Sequence, residues 1–185
     1  MNLLLIGGSL RNQSVNAAVL ATAAELARAS VQPVIYERMA DLPHFNPDDD
    51  RHPLPEPVAD LREALERADA LLLSTPEYAG SLPGSFKNLL DWTIGGGGLY
   101  RLPAGWINPS SHGGSKDTYA ALRIVLERAG ASIVESACAD IPVPREAVGP
   151  NGRIAAPEIR DVIGRAVSEL LEAAKVQREQ TTRGS

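Results

Sequence analysis

Apolar residues along this chain fall into short unbroken runs, and the segments between them carry apolar residues every three or four positions. The first run, Leu3-Leu4-Leu5-Ile6, stops at Gly7-Gly8, and Val19, Ala23, Leu26 and Ser30 then share one helical face. This predicts a buried strand, a tight loop and a helix over 15–29 with a small-residue stripe for close packing. Val34, Ile35 and Tyr36 end a second strand over 31–36, with Pro33 tolerable near its start. Val58, Leu61, Leu65 and Ala68 predict an amphipathic helix over 57–67, Pro57 standing in its first turn. Residues 69–74 are apolar on both faces, as in the middle of a parallel sheet. A helix over 85–93, a fourth strand over 105–108 and a helix marked by Tyr119, Leu122, Leu126 and Ala129 follow, the last closed by Gly130. A fifth strand over 132–137, a loop over 142–152 and a helix carrying Ile159, Val162, Ile163, Ala166 and Leu170 complete the pattern. Strands alternating with helices imply parallel pairing, right-handed crossovers and helices on both faces. In the doubly wound order 2-1-3-4-5, the loops after strands one, three and four converge on one rim beside the switch point.

The length of 185 residues suits one domain, taken as 1–176, with 177–185 a polar tail expected to fray. Net charge is −5, and lysines and arginines are not clustered among aromatics, so a nucleic-acid surface is not expected. The one cysteine, Cys138, excludes an internal disulfide and a cysteine-based zinc site, and reads as a small buried hydrophobe. No segment approaches a membrane span and no basic stretch precedes a long apolar one, which points to the cytoplasm. His44, His52 and Asp48-Asp49-Asp50 lie close together, but a proline-rich solvated loop fixes such ligands poorly. No metal is expected.

The chemistry sits in the loops. Gly7-Gly8-Ser9-Leu10-Arg11-Asn12-Gln13-Ser14-Val15-Asn16 combines a sharp turn, two hydroxyls, an amide and a guanidinium at a helix start, the requirements of a phosphate site. The alternative, that Ser14 caps the helix and the glycines turn the chain, stays open here. A long loop, 75–84, leaves the carboxyl end of the central strand, and Ser110-Ser111-His112-Gly113-Gly114 forms a third, small-residue loop. The run Gly95–Gly98 must be mobile or pass close to something.

Two stretches together resemble the NAD(P)H-dependent FMN reductase family of flavodoxin-like proteins, which includes bacterial quinone, azo-dye and chromate reductases. They are Gly8-Ser9-Leu10-Arg11-Asn12-Gln13-Ser14-Val15-Asn16, and Pro76-Glu77-Tyr78 through Pro83-Gly84-Ser85-Phe86-Lys87-Asn88-Leu89-Leu90-Asp91-Trp92. The resemblance implies a flavodoxin-like three-layer sandwich with FMN as cofactor. Ser9, Arg11, Ser14 and Asn16 would hold its phosphate with Val15 alongside. Pro76, Glu77, Tyr78 and Ala79 would run along the flavin ring, and Ser110, Ser111 and Gly113 would lie against its other side. Lys87, Asn88, Asp91 and Trp92 read as helix packing, caps or an interface.

The implied activity is transfer of hydride from NADPH or NADH, through flavin N5, to a small-molecule acceptor such as a quinone, free flavin or azo dye. The flavin carries the chemistry, so no catalytic side chain is named. A flavodoxin-type electron carrier and a cofactor-free interaction module on the same fold are the alternatives. The resemblance also implies a homodimer or a dimer of dimers, for which Phe86, Leu89 and Leu90 could serve either core or interface. Three features depart from the family pattern: Ala79 where asparagine is usual, Asn108-Pro109 breaking the fourth strand, and a shortened stretch before Gly113-Gly114; the glycine run is also unusual.

Overall fold

The computed structural model describes residues 1–110 and 114–183. Five parallel strands form one sheet in the order β2-β1-β3-β4-β5. They are β1 (Asn2–Gly7), β2 (Gln32–Tyr36), β3 (Ala70–Ser74), β4 (Pro103–Asn108) and β5 (Ser132–Asp140). The connecting helices are α1 (Val15–Ala27), α2 (Glu56–Glu66), α3 (Gly84–Thr93), α4 (Lys116–Arg128) and α5 (Pro157–Arg183).

Successive side chains on a strand face opposite ways, so the central leucines divide between two layers. Leu3, Leu5 and Leu72 meet Val19 and Ala23 of α1 and Ile163 and Leu170 of α5. Leu4, Ile6, Leu71 and Leu73 meet Leu61 of α2, Phe86 and Leu89 of α3 and Leu122 of α4. Each such side chain contributes about 1.5–3 kcal/mol when fully buried. Phe86, Leu89 and Leu90 are among them, which assigns these three to the core.

Three boundaries differ from the sequence pattern. β4 begins two residues early at Pro103, acceptable because proline takes the strand's first position. β5 runs to Asp140 because its register against β4 slips: Ala104 pairs with Ile133, but Trp106 pairs with Cys138. Gly105 lies at the slip, where an added Cβ would come within 2.8 Å of Ala137. Extra residues bulge from the ladder there and destroy the alternation that marks a strand. Helix α5 continues to Arg183, although a frayed polar end was expected from residue 177 onward. Gln177 Nε2 donates to Arg101 O at 2.6 Å and Arg178 pairs with Asp69 at 3.0 Å, so the polar face of this last stretch is tied to the body.

The glycine run passes close to something. A methyl on Gly95 would overlap Asp50 Oδ2, and one on Gly96 would stand 2.8 Å from Arg62 Cδ. Arg62 bonds Asp50 at 2.7 Å and the Trp92 carbonyl at 3.0 Å, closing α2 onto the end of α3. Gly97 and Gly98 share a hollow with Asp69, Leu102 and Pro103, at the amino ends of β3 and β4. The run is therefore remote from the rim loops. Asn88 and Trp92 pack the 43–45 segment: Asn88 Nδ2 and Trp92 Nε1 both donate to Pro43 O, while Lys87 pairs with Asp91. Among the described residues no group of three or more His, Cys, Asp or Glu could hold a metal ion, and no helix is long and apolar enough to cross a membrane.

Candidate functional site

The β1–α1 loop is anchored where Gly8 N donates to Ser74 O at 2.9 Å, tying it to the end of β3. Any side chain on Gly8 would collide with Thr75, so glycine is what lets the two loops touch. Ser9 Oγ accepts from Arg11 N at 3.2 Å and folds the loop back on itself. Gln13 takes a φ of 56°, and Ser14 caps α1, its Oγ accepting from Ala17 N at 3.0 Å. Capping uses the oxygen as acceptor and leaves the hydroxyl proton free to donate. Both readings of Ser14 are thus compatible. The Arg11 side chain is exposed and has no hydrogen bond or ion pair within the described residues.

Asn16 turns the other way. Its buried Oδ1 lies 2.8 Å from Ser74 Oγ, which also lies 2.8 Å from the Ile107 carbonyl. The bond fastens α1 to β3 through the amide oxygen and leaves Nδ2, the group's donor, without a partner among the described residues.

The β3–α3 loop starts from a fixed point. Thr75 is 1 % exposed, and its N–H and C=O both meet the hydroxyl of Tyr119, at 3.1 and 3.0 Å. Burial, partly offset by the Thr75 backbone bond, pushes the Tyr119 phenol above its usual range, so it stays a neutral donor and acceptor. Pro76 and Glu77 follow and face a cavity; Thr118 Oγ1 reaches toward Glu77 at 3.5 Å. The chain then reverses, Tyr78 and Ser81 exchanging backbone bonds at 3.0 and 3.1 Å across Ala79 (φ 52°) and Gly80 (φ 75°). Two central residues with positive φ make this a type I′-like turn, in which asparagine suits the first position. Ala79 departs from the family residue at a site of backbone geometry. Tyr78, 52 % exposed, and Ala79 sit at this tip and line neither cavity described below.

The β4–α4 loop is organised by Asn108, 4 % exposed. Its Nδ2 donates to Asp140 Oδ1 at 2.9 Å and to Gly114 O at 3.2 Å, and its Oδ1 accepts from Ser110 N at 3.2 Å. The residue that interrupts the fourth strand thus clasps both ends of the loop and the end of β5. Ser111 and Gly113, two further positions implied by the resemblance, lie outside the described residues.

These loops border two cavities. The inner one, about 410 Å³, is lined by Val15, Asn16, Pro76, Glu77, Ser110 and Val143, among others. The outer one, about 1000 Å³, follows the loop from Ser9 to Ser14 and is bounded across α1 by Tyr36, Met39 and Val148. Val15 and Arg145 border both. The arrangement suits an elongated ligand with a negative end beside Arg11 and a flatter, less polar end beside Pro76. Sequence reading missed Arg145, which stands in a proline-rich loop without periodicity, and missed the clasp of Asn108 and the bond of Tyr119 to Thr75. Only the topology brings these residues to the rim.

The chain's kinships agree with this geometry. The family model of the NADPH-dependent FMN reductases matches residues 1–141. A quinone reductase of Pseudomonas putida is 40 % identical over 87 residues, 47 % of this chain and 46 % of that protein. A quinone reductase of Escherichia coli K12 is 37 % identical over 97 residues, 52 % of this chain and 48 % of its own length. The matched stretches thus span about half the length of these curated relatives. Over nearly its full length the chain superposes on FerB, a flavoenzyme NAD(P)H:(acceptor) oxidoreductase from Paracoccus denitrificans. That match has a TM-score of 0.83 and 28 % identity, over 94 % of this chain and 97 % of FerB. An archaeal flavodoxin shares the fold alone, at 10 % identity and a TM-score of 0.65.

Proposed function

The chain belongs to the NADPH-dependent FMN reductase family, and from that premise we propose that it is an FMN-dependent oxidoreductase taking reducing equivalents from NADPH or NADH. Its acceptor is a small molecule of the quinone, free-flavin or azo-dye class. The observation that carries this reading is one rim on which a loop with a free arginine, a capped helix start and a proline-bounded cavity adjoin.

FMN has a dianionic phosphate at one end, a polyhydroxylated chain and a flat ring. The residues present fit each part. Arg11 and the spare proton of Ser14 suit the phosphate, with Ser9 shaping the loop that carries them. Val15, between the two cavities, lies where the connecting chain would cross. Pro76, Glu77 and Ser110 wall the inner cavity that would take the ring. When bound, FMN supplies hydride transfer between the nicotinamide and the acceptor. The protein's part is to hold and orient. Tyr119 fixes Thr75 and so the start of the ring wall, and Asn108 fixes Ser110 opposite it. Asn16 is anchored through its Oδ1 to Ser74 and keeps its Nδ2 as a donor toward the cofactor.

The reading extends to a homodimer or dimer of dimers in the cytoplasm, on the strength of the family resemblance. Since Phe86, Leu89 and Leu90 belong to the core, the interface is sought among exposed apolar residues such as Tyr78 and Ile124. Sedimentation velocity tests the assembly. The function is tested by the absorption spectrum of the purified protein, followed by anaerobic addition of NADPH and NADH in turn. Flavin absorbance that bleaches on addition, with sustained NAD(P)H oxidation once a quinone is supplied, is expected. A colourless protein that takes up no FMN on titration rejects the proposal.

A further inference from the structure

Three arginines lie on the stretch from the end of β5 into α5: Arg145, Arg153 and Arg160. Arg153 and Arg160 share the carboxylate of Glu25 on α1, at 3.1 and 3.0 Å. The Arg145 side chain has no hydrogen bond or ion pair to any described residue. Its place is nevertheless fixed. Ile141 N donates to Asn108 O and Val143 N to Pro109 O, at 2.8 and 3.1 Å, so the segment before it is strapped to the end of β4. After it, Val148 and Ile154 pair across a bridge, and Ile154 N donates to Thr22 Oγ1 of α1 at 2.9 Å. The short turn Arg145–Ala147 is held between these two attachments, over the start of α1. Ala147 and Val148 pack there beside Val15 in the same apolar layer.

The charges lining the two cavities are Arg11, Arg145, Glu37 and Glu77. Arg11 borders only the outer cavity and Glu77 only the inner one, whereas Arg145 borders both. A phosphate monoester carries close to two negative charges at neutral pH, and a single exposed guanidinium matches half of that.

We infer that Arg145 is the second cation of the phosphate site, closing from the β5–α5 loop onto the phosphate that Arg11 meets from the β1–α1 loop. This inference rests on the FMN reading above. The two arginines approach from different segments, and two planar forks on one phosphate give orientation as well as attraction. Glu37 also lines the outer cavity but makes no ion pair with either guanidinium among the described residues.

The test compares FMN with riboflavin, which is the same molecule without the phosphate. The full chain, freed of flavin, is titrated with each, following flavin fluorescence, as wild type, Arg145→Gln, Arg145→Lys and Arg11→Gln. Wild type is expected to bind FMN more tightly than riboflavin. Arg145→Gln should weaken FMN about tenfold or more, leave riboflavin unchanged and flatten the salt dependence of FMN binding. Arg145→Lys, which keeps charge but loses the fork, should fall between. Equal loss of both ligands, or no loss, in Arg145→Gln overturns the inference, and far-UV circular dichroism shows whether equal loss comes from misfolding. If Arg11→Gln narrows the preference for FMN while both Arg145 variants keep it, the cofactor reading survives and this inference alone fails. If wild type does not distinguish FMN from riboflavin, both fall.

Discussion

The hydroxyl of Tyr119 accepts a hydrogen bond from the backbone N–H of Thr75 at 3.1 Å and lies 3.0 Å from the carbonyl oxygen of the same residue. The Ile107 carbonyl, at 2.9 Å, is another oxygen its single proton can reach. One side chain from α4 thus joins the ends of β3 and β4 directly beneath the rim. Tyr119→Phe keeps the ring against Trp106 but strands the Thr75 N–H away from water. It should destabilise the fold by about 1–3 kcal/mol. Urea unfolding at pH 7 measures this, and FMN affinity should fall as well because Thr75 leads into Pro76. An unchanged midpoint together with unchanged flavin binding would show that the hydroxyl is dispensable.

Gly8 marks the closest approach of the first and second rim loops. A methyl there would overlap Thr75 Oγ1 and stand 2.9 Å from Phe86 Cγ, both in buried surroundings. Gly8→Ala should therefore cost about 1–3 kcal/mol through overpacking. The same push should part the two loops, so that loss of bound flavin accompanies a lowered thermal midpoint.

Ala79 holds a φ of 52° at the exposed tip of a turn. A left-handed conformation costs an ordinary L-residue about 1–2 kcal/mol, which glycine avoids and asparagine partly avoids. Ala79→Gly and Ala79→Asn should both raise stability, by up to about 1 kcal/mol. Because the residue lines neither cavity, FMN affinity should stay the same, and a large change in it would mean that the tip closes over the flavin.

Alkaline pH should weaken the fold in a defined window. Burial raises the Cys138 thiol from 9.0 to about 11 and the Tyr36 phenol from 10.0 to about 12. Both groups stay neutral in the folded protein where the unfolded chain has begun to ionise. Their contribution is complete below pH 9 and is lost as pH climbs through 9 toward about 12. Urea midpoints should therefore hold through neutral pH and drop above pH 9, less steeply in Cys138→Ala. Iodoacetamide at pH 8 should modify Cys138 slowly in buffer and quickly in urea, since the thiolate is the reactive form. Equal rates would contradict the shift.

The parts of this structure most visible from residue types are those where one physical demand dominates. β1 and β3 are buried on both faces and so are written as plain apolar runs, and the rim loops are written as abrupt changes to glycine, serine and proline. β5 was read too short because a strand that slips against its neighbour loses the two-residue rhythm by which strands are found. Ser14 and Asn16 lie two apart, yet one caps the helix toward the loop and the other turns down to Ser74. Their direction depends on the angle at which α1 leaves the sheet, which no local pattern encodes. Arg145 was invisible for a related reason: what gives it meaning is the loop of Arg11, 134 positions earlier in the chain.

Helix α5 begins sixteen positions after residue 141, where the family match ends, yet Ile159, Ile163 and Leu170 shield Leu3, Leu5 and Leu72. A ribosome that has threaded out only the earlier segments therefore holds a nascent sheet with much of one side naked. Until α5 emerges, that greasy surface is a target for other chains or for a chaperone, so the speed at which α5 is synthesised bears on yield.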